Sequence, residues 1–420
     1  MNLEQAIAAQ QPLVQRLLDG VAAIGADPPG ITRDAYGRGE NEAHDLIRKA
    51  GEALGMQASL DAGANLSLRL AAKNPEAPPI LIGSHLDSIM QGGNFDGAAG
   101  VIAGIGAVAA LQTAGITPRR DIEVLALRCE EAVWFGLGLI GSRCMLARLP
   151  AGALELRHAR TGKTLAESIA LAGGDPERLR QGKPLRDPAD LGAYLEIHIE
   201  QAPQLVEAGL PVAICLANPG NLRHPFIRIT GEDAHTGLPH RFRHDAALAG
   251  ADLSLCLERL WLTEEAAGRP MAVTIGRFHT FADRHSLTAV SGAFELSLDL
   301  RAYDAAHLVA LEARLQEIVA DVAARRRVQI TLSERTSAAP GLMDPGLILR
   351  LADAAKACGI TAPRLHSPGT HDANNFAAAG VKTGMLLVRN QNGSHNPHEA
   401  METDDLMTAT AVLVQFLARF

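Results

Sequence analysis

The sequence has no CxxC pair, no surplus of basic charge and no uninterrupted apolar run long enough to cross a bilayer. Its five cysteines, Cys129, Cys144, Cys215, Cys256 and Cys358, are odd in number and widely spaced. That pattern suits free thiols in a reducing cytoplasm, so a cytoplasmic location is expected. Lys and Arg number 39 against 47 Asp and Glu, a formal net charge of −8. Electrostatics therefore gives no reason to expect nucleic acid or a membrane surface as a partner. Met1-Asn2-Leu3-Glu4-Gln5 shows neither a basic nor an apolar signal region.

The chain does have length and apolar content: 420 residues, 47% hydrophobic. That exceeds what one core usually serves, so two domains are expected. Leu3 to Leu18 and Asn41 to Leu54 read as helices, and Leu66 to Leu70 and Ile80 to Ile82 as strands. After the second of these strands comes Gly83-Ser84-His85-Leu86-Asp87-Ser88, then Gly92-Gly93-Asn94-Phe95-Asp96-Gly97, then a helical stretch from Ala98 to Ala114. His85 thus stands at a strand end and Asp96 in a Gly-rich loop before a helix, where open α/β sheets collect ligands. Such a pair can ligate a metal, with Asp87 orienting the imidazole; a strand-end histidine and a helix-capping aspartate would read alike locally.

Further on, Asp121 to Leu127 reads as a strand ending in Glu130-Glu131, two carboxylates able to divide metal binding and general-base work. Leu149 to Asp190 reads as a polar connection with one short helix. Glu196, His198 and Glu200 alternate with Leu195, Ile197 and Ile199, which predicts a strand with one polar face. From about Val212 the order becomes β-α-β-β-α-β, with helices over Asp245–Leu260 and Ala305–Arg326. Strand and helix alternation resumes after Pro340, through Asn392-Gly393-Ser394-His395, and closes on a helix from Leu406 to Phe420. The expected domains are 1–211 and 334–420, interrupted by 212–333. His85, Glu131, His198 and His395 then end four strands of one domain beside Asp96. This set matches two divalent ions of the Mn²⁺, Zn²⁺, Co²⁺ or Ni²⁺ type sharing one carboxylate. Such a pair can activate a water and polarise a carbonyl.

Together the His85, Asp96 and Glu130-Glu131 motifs, Glu-Ile-His-Ile-Glu-Gln and Ser-His-Asn-Pro-His-Glu resemble the M20-type amidohydrolases. The branch is that of N-carbamoyl-L-amino acid hydrolases, β-ureidopropionases and allantoate amidohydrolases, and the resemblance runs from about Val21 to the C-terminal helix. It implies an α/β metallo-exopeptidase-like catalytic domain, a mixed sheet flanked by helices, with an inserted ferredoxin-like dimerisation domain and hence a homodimer. It further implies His85, Asp96 and His198 on one metal and Asp96, Glu131 and His395 on the other. Glu130 matches the general base, Asp87 the residue orienting His85, and His235 a histidine that polarises the substrate carbonyl. Arg301 matches a carboxylate-gripping arginine, and Gln201, His371, Thr288 and Arg243 fall at substrate-binding positions.

Departures fall on the substrate side: Ala202 for Gly, a shortened loop after His235, Thr288 near an expected Asn with His285 close by, Ser367-Pro368-Gly369-Thr370, and Trp134 where an arginine is common. The expected reaction is hydrolysis of the carbamoyl C–N bond of an N-carbamoyl-L-amino acid, with release of ammonia and CO2. Allantoate hydrolysis and cleavage of acyl-amino acids or dipeptides are the rivals within the class. An inactive metal-retaining binder is the rival outside it, opposed by the intact Glu130.

Overall fold

The computed structural model describes residues 1–73 and 77–419, so the expected end of the last helix at Phe420 lies outside the described residues. The chain divides into two compact units, Met1–Asn218 with Gly341–Phe420, and Pro219–Pro340.

In the first unit, α1 (Leu3–Ala8) and α2 (Gln11–Gly25) replace the single expected N-terminal helix. Pro12 explains the break, since it sits in the first turn of α2 and cannot serve a helix interior. After α3 (Arg38–Ala53) come β1 (Gln57–Leu60), β2 (Leu66–Leu70) and β3 (Ile80–His85). Then follow α4 (Ala98–Thr113), β4 (Ile122–Leu127), β5 (Ala193–Ile199) and β6 (Val212–Cys215).

The second unit contains β7 (Gly220–Thr230), α5 (Ala246–Ala266), β8 (Met271–Thr274), β9 (Ala293–Ala302), α6 (Ala305–Arg326) and β10 (Gln329–Leu332). Back in the first unit the chain adds α7 (Pro345–Ala357), β11 (Arg364–Leu365), α8 (Ala373–Ala378), β12 (Thr383–Val388) and α9 (Thr403–Arg419).

The first unit's sheet runs β11-β6-β12-β5-β3-β4-β2-β1. Its centre, β12-β5-β3-β4, is parallel, as is the edge pair β11-β6, whereas β6 joins β12, β2 joins β4 and β1 joins β2 antiparallel, which makes the sheet mixed. Every residue of β3, β4, β5 and β12 is buried, as expected of parallel strands covered on both faces. The polar face expected on β5 is therefore not solvated: Glu196 accepts from Ser84 Oγ at 3.0 Å and from the Ala373 amide at 2.8 Å.

α4 is apolar on all sides and buried along nearly its whole length. Its close seat on the sheet needs Gly100, where a Cβ would stand 2.0 Å from the Ile197 carbonyl oxygen. β6 pairs with β12 in this sheet, so the first unit extends to Asn218 and the second begins at Pro219 rather than at 212.

The expected connection from Leu149 to Asp190 holds two short α-helices rather than one, Leu165–Leu171 and Pro176–Arg180. Leu165, Ile169 and Leu179 close a small core around Tyr36, Trp134 and Phe135. In the second unit the strands are antiparallel in the order β8-β9-β7-β10, and α5 and α6 contribute Leu253, Leu257, Leu311 and Leu315 to its core. No helix among the described residues is long and apolar enough to cross a membrane.

Candidate metal and catalytic site

Four neighbouring parallel strands deliver the site from their C-terminal ends. His85 is the last residue of β3 and His198 the penultimate residue of β5. Glu130-Glu131 follow β4, and His395 lies on the loop after β12. Asp96 sits two residues before α4, separated from it by Gly97 at φ +69°, where a Cβ would stand 2.4 Å from the His85 ring.

Asp96 is the meeting point. Its Oδ1 lies 3.3 Å from His85 Nε2 and 3.1 Å from His198 Nε2, and its Oδ2 lies 3.5 Å from His395 Nε2. His395 Nε2 is also 3.4 Å from Glu131 Oε1, and Glu130 Oε2 stands 4.0 Å from His85 Nε2. The other ring nitrogens face backbone carbonyls: His85 Nδ1 that of Asp87 at 3.1 Å, His198 Nδ1 that of Ile199 at 2.9 Å. A proton on each Nδ1, donated to these carbonyls, leaves Nε2 free to ligate a cation beside Asp96.

The Glu130-Glu131 turn is held by its own amides. Cys129 has φ +51°, and three successive N–H groups are received by buried carboxylates. Cys129 donates to Glu40 Oε1 at 2.9 Å, Glu130 to Asp87 Oδ1 at 3.0 Å and Glu131 to Asp87 Oδ2 at 3.1 Å. Glu40 Oε2 in turn accepts from Arg128 at 2.8 Å, a buried ion pair.

The local field is strongly negative. Burial pushes Glu131 up to about 7, with Asp96 adding to the shift, and burial raises Glu130 well above the carboxylate range despite the opposing His85. Asp96 goes the other way: burial works against its charge, but His198, His395 and His85 hold it well below the usual range. His395 rises to about 9, chiefly through its contact with Asp96. Asp87, Asp96 and Glu130 likewise raise His85 in spite of its burial.

Gln201 Nε2 donates to Asp96 Oδ2 at 2.7 Å, so it joins the site. His371 is buried against His198, ring centroids 4.1 Å apart, with its Nε2 2.7 Å from Ser367 Oγ; burial, then the charge of His198, lowers its pKa. His235, Thr288, Arg243 and Arg301 belong to the second unit. There Thr236 N–H donates to the Thr288 carbonyl at 2.9 Å, Arg243 Nε to the Leu238 carbonyl at 2.7 Å, and Arg301 pairs with Asp299 at 3.1 Å. Trp134 is a core residue: it is fully buried, stacks on His158 and donates from Nε1 to the Ser88 carbonyl at 2.9 Å.

The family model described as "Peptidase family M20/M25/M40" matches residues 81–419, most of the chain and all of the candidate metal ligands just placed. The chain belongs to this family. An N-carbamoyl-L-amino acid amidohydrolase of Geobacillus stearothermophilus is 35% identical over 405 residues, 96% of either chain. An allantoate deiminase of Arabidopsis thaliana is 28% identical over 89% of this chain and 75% of its own. Among solved structures, a hydantoinase/carbamoylase family amidase from Burkholderia ambifaria superposes with a TM-score of 0.85 at 32% identity, covering 97% of this chain and 96% of that one.

M20 enzymes are metal-dependent, and two groups in this M20 chain fit an ion each: His85, Asp96 and His198, and Asp96, Glu131 and His395. Within each group the donor atoms lie within 4.8 Å of one another. Nε2 of His85 and of His198 are buried without a hydrogen-bond partner, a state that a coordinated cation would relieve.

Sequence reasoning missed several supports of this M20 site. Glu399 Oε1 accepts from the amides of Phe95 and Asp96 at 2.9 and 3.2 Å, and its Oε2 accepts from Ser394 Oγ at 2.6 Å. Ser394 Oγ also lies 2.6 Å from Asp96 Oδ2. Glu399 ends the Ser-His-Asn-Pro-His-Glu motif, which was its only signal; Glu40 had none.

Proposed function

We propose that the chain is a two-metal amidohydrolase acting on the carbamoyl C–N bond of N-carbamoyl-L-amino acids, with ammonia, carbon dioxide and the free amino acid as products. The observation that carries this reading is the pair of N/O donor triads sharing Asp96 with Glu130 beside them, in a chain 35% identical to an N-carbamoyl-L-amino acid amidohydrolase. His85, Asp96 and His198 would hold one ion and Asp96, Glu131 and His395 the other. Mixed N/O donors suit Mn²⁺, Zn²⁺, Co²⁺ or Ni²⁺. When bound, such ions polarise the carbonyl and make water more acidic.

Glu130 is the general base: it takes a proton from the attacking water and returns it to the departing nitrogen. Asp87 holds the Glu130 amide and faces His85 Nδ1 at 3.3 Å, so it orients the base and the imidazole together. His235 Nδ1 accepts the Gly237 N–H at 3.1 Å, which leaves the proton on Nε2 for a substrate carbonyl oxygen. Arg301 would exchange Asp299 for the substrate carboxylate, and Gln201, His371, Thr288 and Arg243 would complete the substrate contacts.

The second unit, ferredoxin-like in its order of elements, would pair two copies of the chain. Leu248, Leu255 and Leu262 recur every seven residues on α5 and are 45%, 52% and 61% exposed, an apolar stripe that a homodimer would cover. Five unpaired cysteines suit a cytoplasmic home. Allantoate is the second substrate reading, supported by the Arabidopsis relative.

Glu130→Gln tests the chemistry. It should bind metal as the wild type does and lose at least about a hundredfold in ammonia release. Near-normal turnover in this variant would remove Glu130 as the base.

A further inference from the structure

Arg33 lies between α2 and α3 and is 0% exposed. A guanidinium buried to that extent is ordinarily paired with a carboxylate. Among the described residues Arg33 instead sends its hydrogen bonds to neutral oxygens. Nε donates to the Leu86 carbonyl at 2.6 Å, Nη1 to Asn94 Oδ1 at 2.9 Å and Nη2 to the Asn94 carbonyl at 3.2 Å. Leu86 stands between His85 and Asp87, and Asn94 two residues before Asp96. One planar group therefore bridges the two backbone turns that carry the first imidazole and the shared aspartate.

The surroundings are built around that bridge. The Arg33 amide donates to Ser88 Oγ at 2.9 Å, and its carbonyl accepts the Ser88 N–H at 3.0 Å. Asn94 is fixed from behind by donation of Nδ2 to the Leu18 carbonyl on α2 at 3.0 Å. Gly25 makes room, since a Cβ there would stand 2.8 Å from Arg33 Cγ. Burial lowers the guanidinium to about 10, and the surrounding Asp87, Glu399, Asp96 and Glu131 oppose that fall, so it is charged at neutral pH.

We propose that Arg33 is a positioning residue whose guanidinium fork staples the His85–Asp87 turn to the Asn94–Asp96 turn, so that the metal donors are assembled before any cation binds. The inference rests on the metal-site reading above. Lysine would keep the charge but, as a single point donor, could not span the Leu86 and Asn94 oxygens, and methionine would keep only the bulk.

The test uses Arg33→Lys and Arg33→Met in the full chain, with Asn94→Ala as a milder variant should the Met form fail to fold. Leu68→Ala, a deletion in the buried core on β2, is the control. Two quantities are read: amide hydrogen exchange over residues 86–96 in chelator-treated protein, and the affinity for Mn²⁺ by calorimetry. Both Arg33 variants should exchange roughly tenfold faster over that segment, as expected of a local opening. They should also bind Mn²⁺ about 10- to 100-fold more weakly, the usual cost of losing a partner that orients ligands. Asn94→Ala should move both readouts the same way by less, and Leu68→Ala should lower the melting temperature without moving either.

Wild-type exchange and wild-type Mn²⁺ affinity in Arg33→Lys would overturn the proposal, because charge alone would then suffice. If the wild-type chain itself bound no Mn²⁺, the metal reading would fall, and the exchange of residues 86–96 would still decide the role of Arg33.

Discussion

Asp87 offers the sharpest stability prediction, because its two oxygens are committed to two consecutive buried amides. Its side chain is fully buried, with Oδ1 on the Glu130 N–H at 3.0 Å and Oδ2 on the Glu131 N–H at 3.1 Å. Asp87→Ala leaves both donors without their acceptor, the Glu131 N–H in buried and the Glu130 N–H in partly buried surroundings. An orphaned buried N–H costs about 1–3 kcal/mol, so two cost about 2–6 kcal/mol. Some of this is returned, since Asp87 repels the carboxylates of Glu40 and Glu131. A net loss of about 2–4 kcal/mol remains, a large share of the roughly 5–15 kcal/mol that stabilises a typical domain. Asp87→Asn keeps one acceptor and turns an N–H toward the second amide, so it should fall about halfway. Of the two tryptophans, Trp134 lies in the first unit, so urea unfolding followed by fluorescence in a Trp261→Phe background reports that unit. Asp87→Ala within about 0.5 kcal/mol of its parent would refute the assignment of those two amides.

Three further outcomes are expected. Gly100→Ala should gain about 1 kcal/mol from helix propensity, but its Cβ would meet the Ile197 carbonyl oxygen at 2.0 Å. Because that oxygen is backbone in a central strand, overpacking of about 3 kcal/mol or more should win, and calorimetry should show a lower melting temperature. Asp252 is raised by burial yet lowered overall by Arg326 and Arg325, at 2.7 and 2.8 Å. A folded pKa below the unfolded one gives stabilisation that is full above the unfolded value and is lost as pH falls through the folded value. Asp252→Asn should therefore cost about 1 kcal/mol at pH 7, given the solvent screening of both arginines, and the gap should narrow in urea titrations as pH falls below the ordinary aspartate pKa and through the depressed folded one. The proposed pairing through α5 predicts that Leu255→Glu lowers the sedimentation coefficient from that of a dimer to that of a monomer, and an unchanged coefficient would contradict that pairing.

Much of the site was legible because its chemistry is local in sequence. His85, Glu131 and His395 each follow an apolar run, His198 alternates with apolar residues on β5 and Asp96 precedes the apolar α4, and parallel strands then gather their C-terminal ends. The alternation on β5 marks which residues share a face but not what covers that face; Ser84 and the Ala373 amide occupy the Glu196 side. Pro12 falls inside the expected Leu3–Leu18 helix, and its place in the first turn of α2 divides that helix in two. The roles of Arg33, Glu40 and Glu399 were hidden for another reason, although Glu399 at least ends a motif. Each acts on backbone amides or carbonyls 53 to 304 residues away in sequence, and a residue's own neighbours say nothing about such a partner. The extension of the first unit through β6 was hidden likewise, since β6 pairs with β12, which follows only after the second unit.

The central claim is best tested by ammonia release from the Mn²⁺-loaded chain, with N-carbamoyl-L-amino acids, N-carbamoyl-β-alanine and allantoate assayed side by side. Release from an N-carbamoyl-L-amino acid, abolished by chelation and restored by Mn²⁺, is the predicted result. Release from allantoate alone would keep the site chemistry and reassign the substrate. No ammonia from any of the three, in protein holding two ions per chain, would contradict the account.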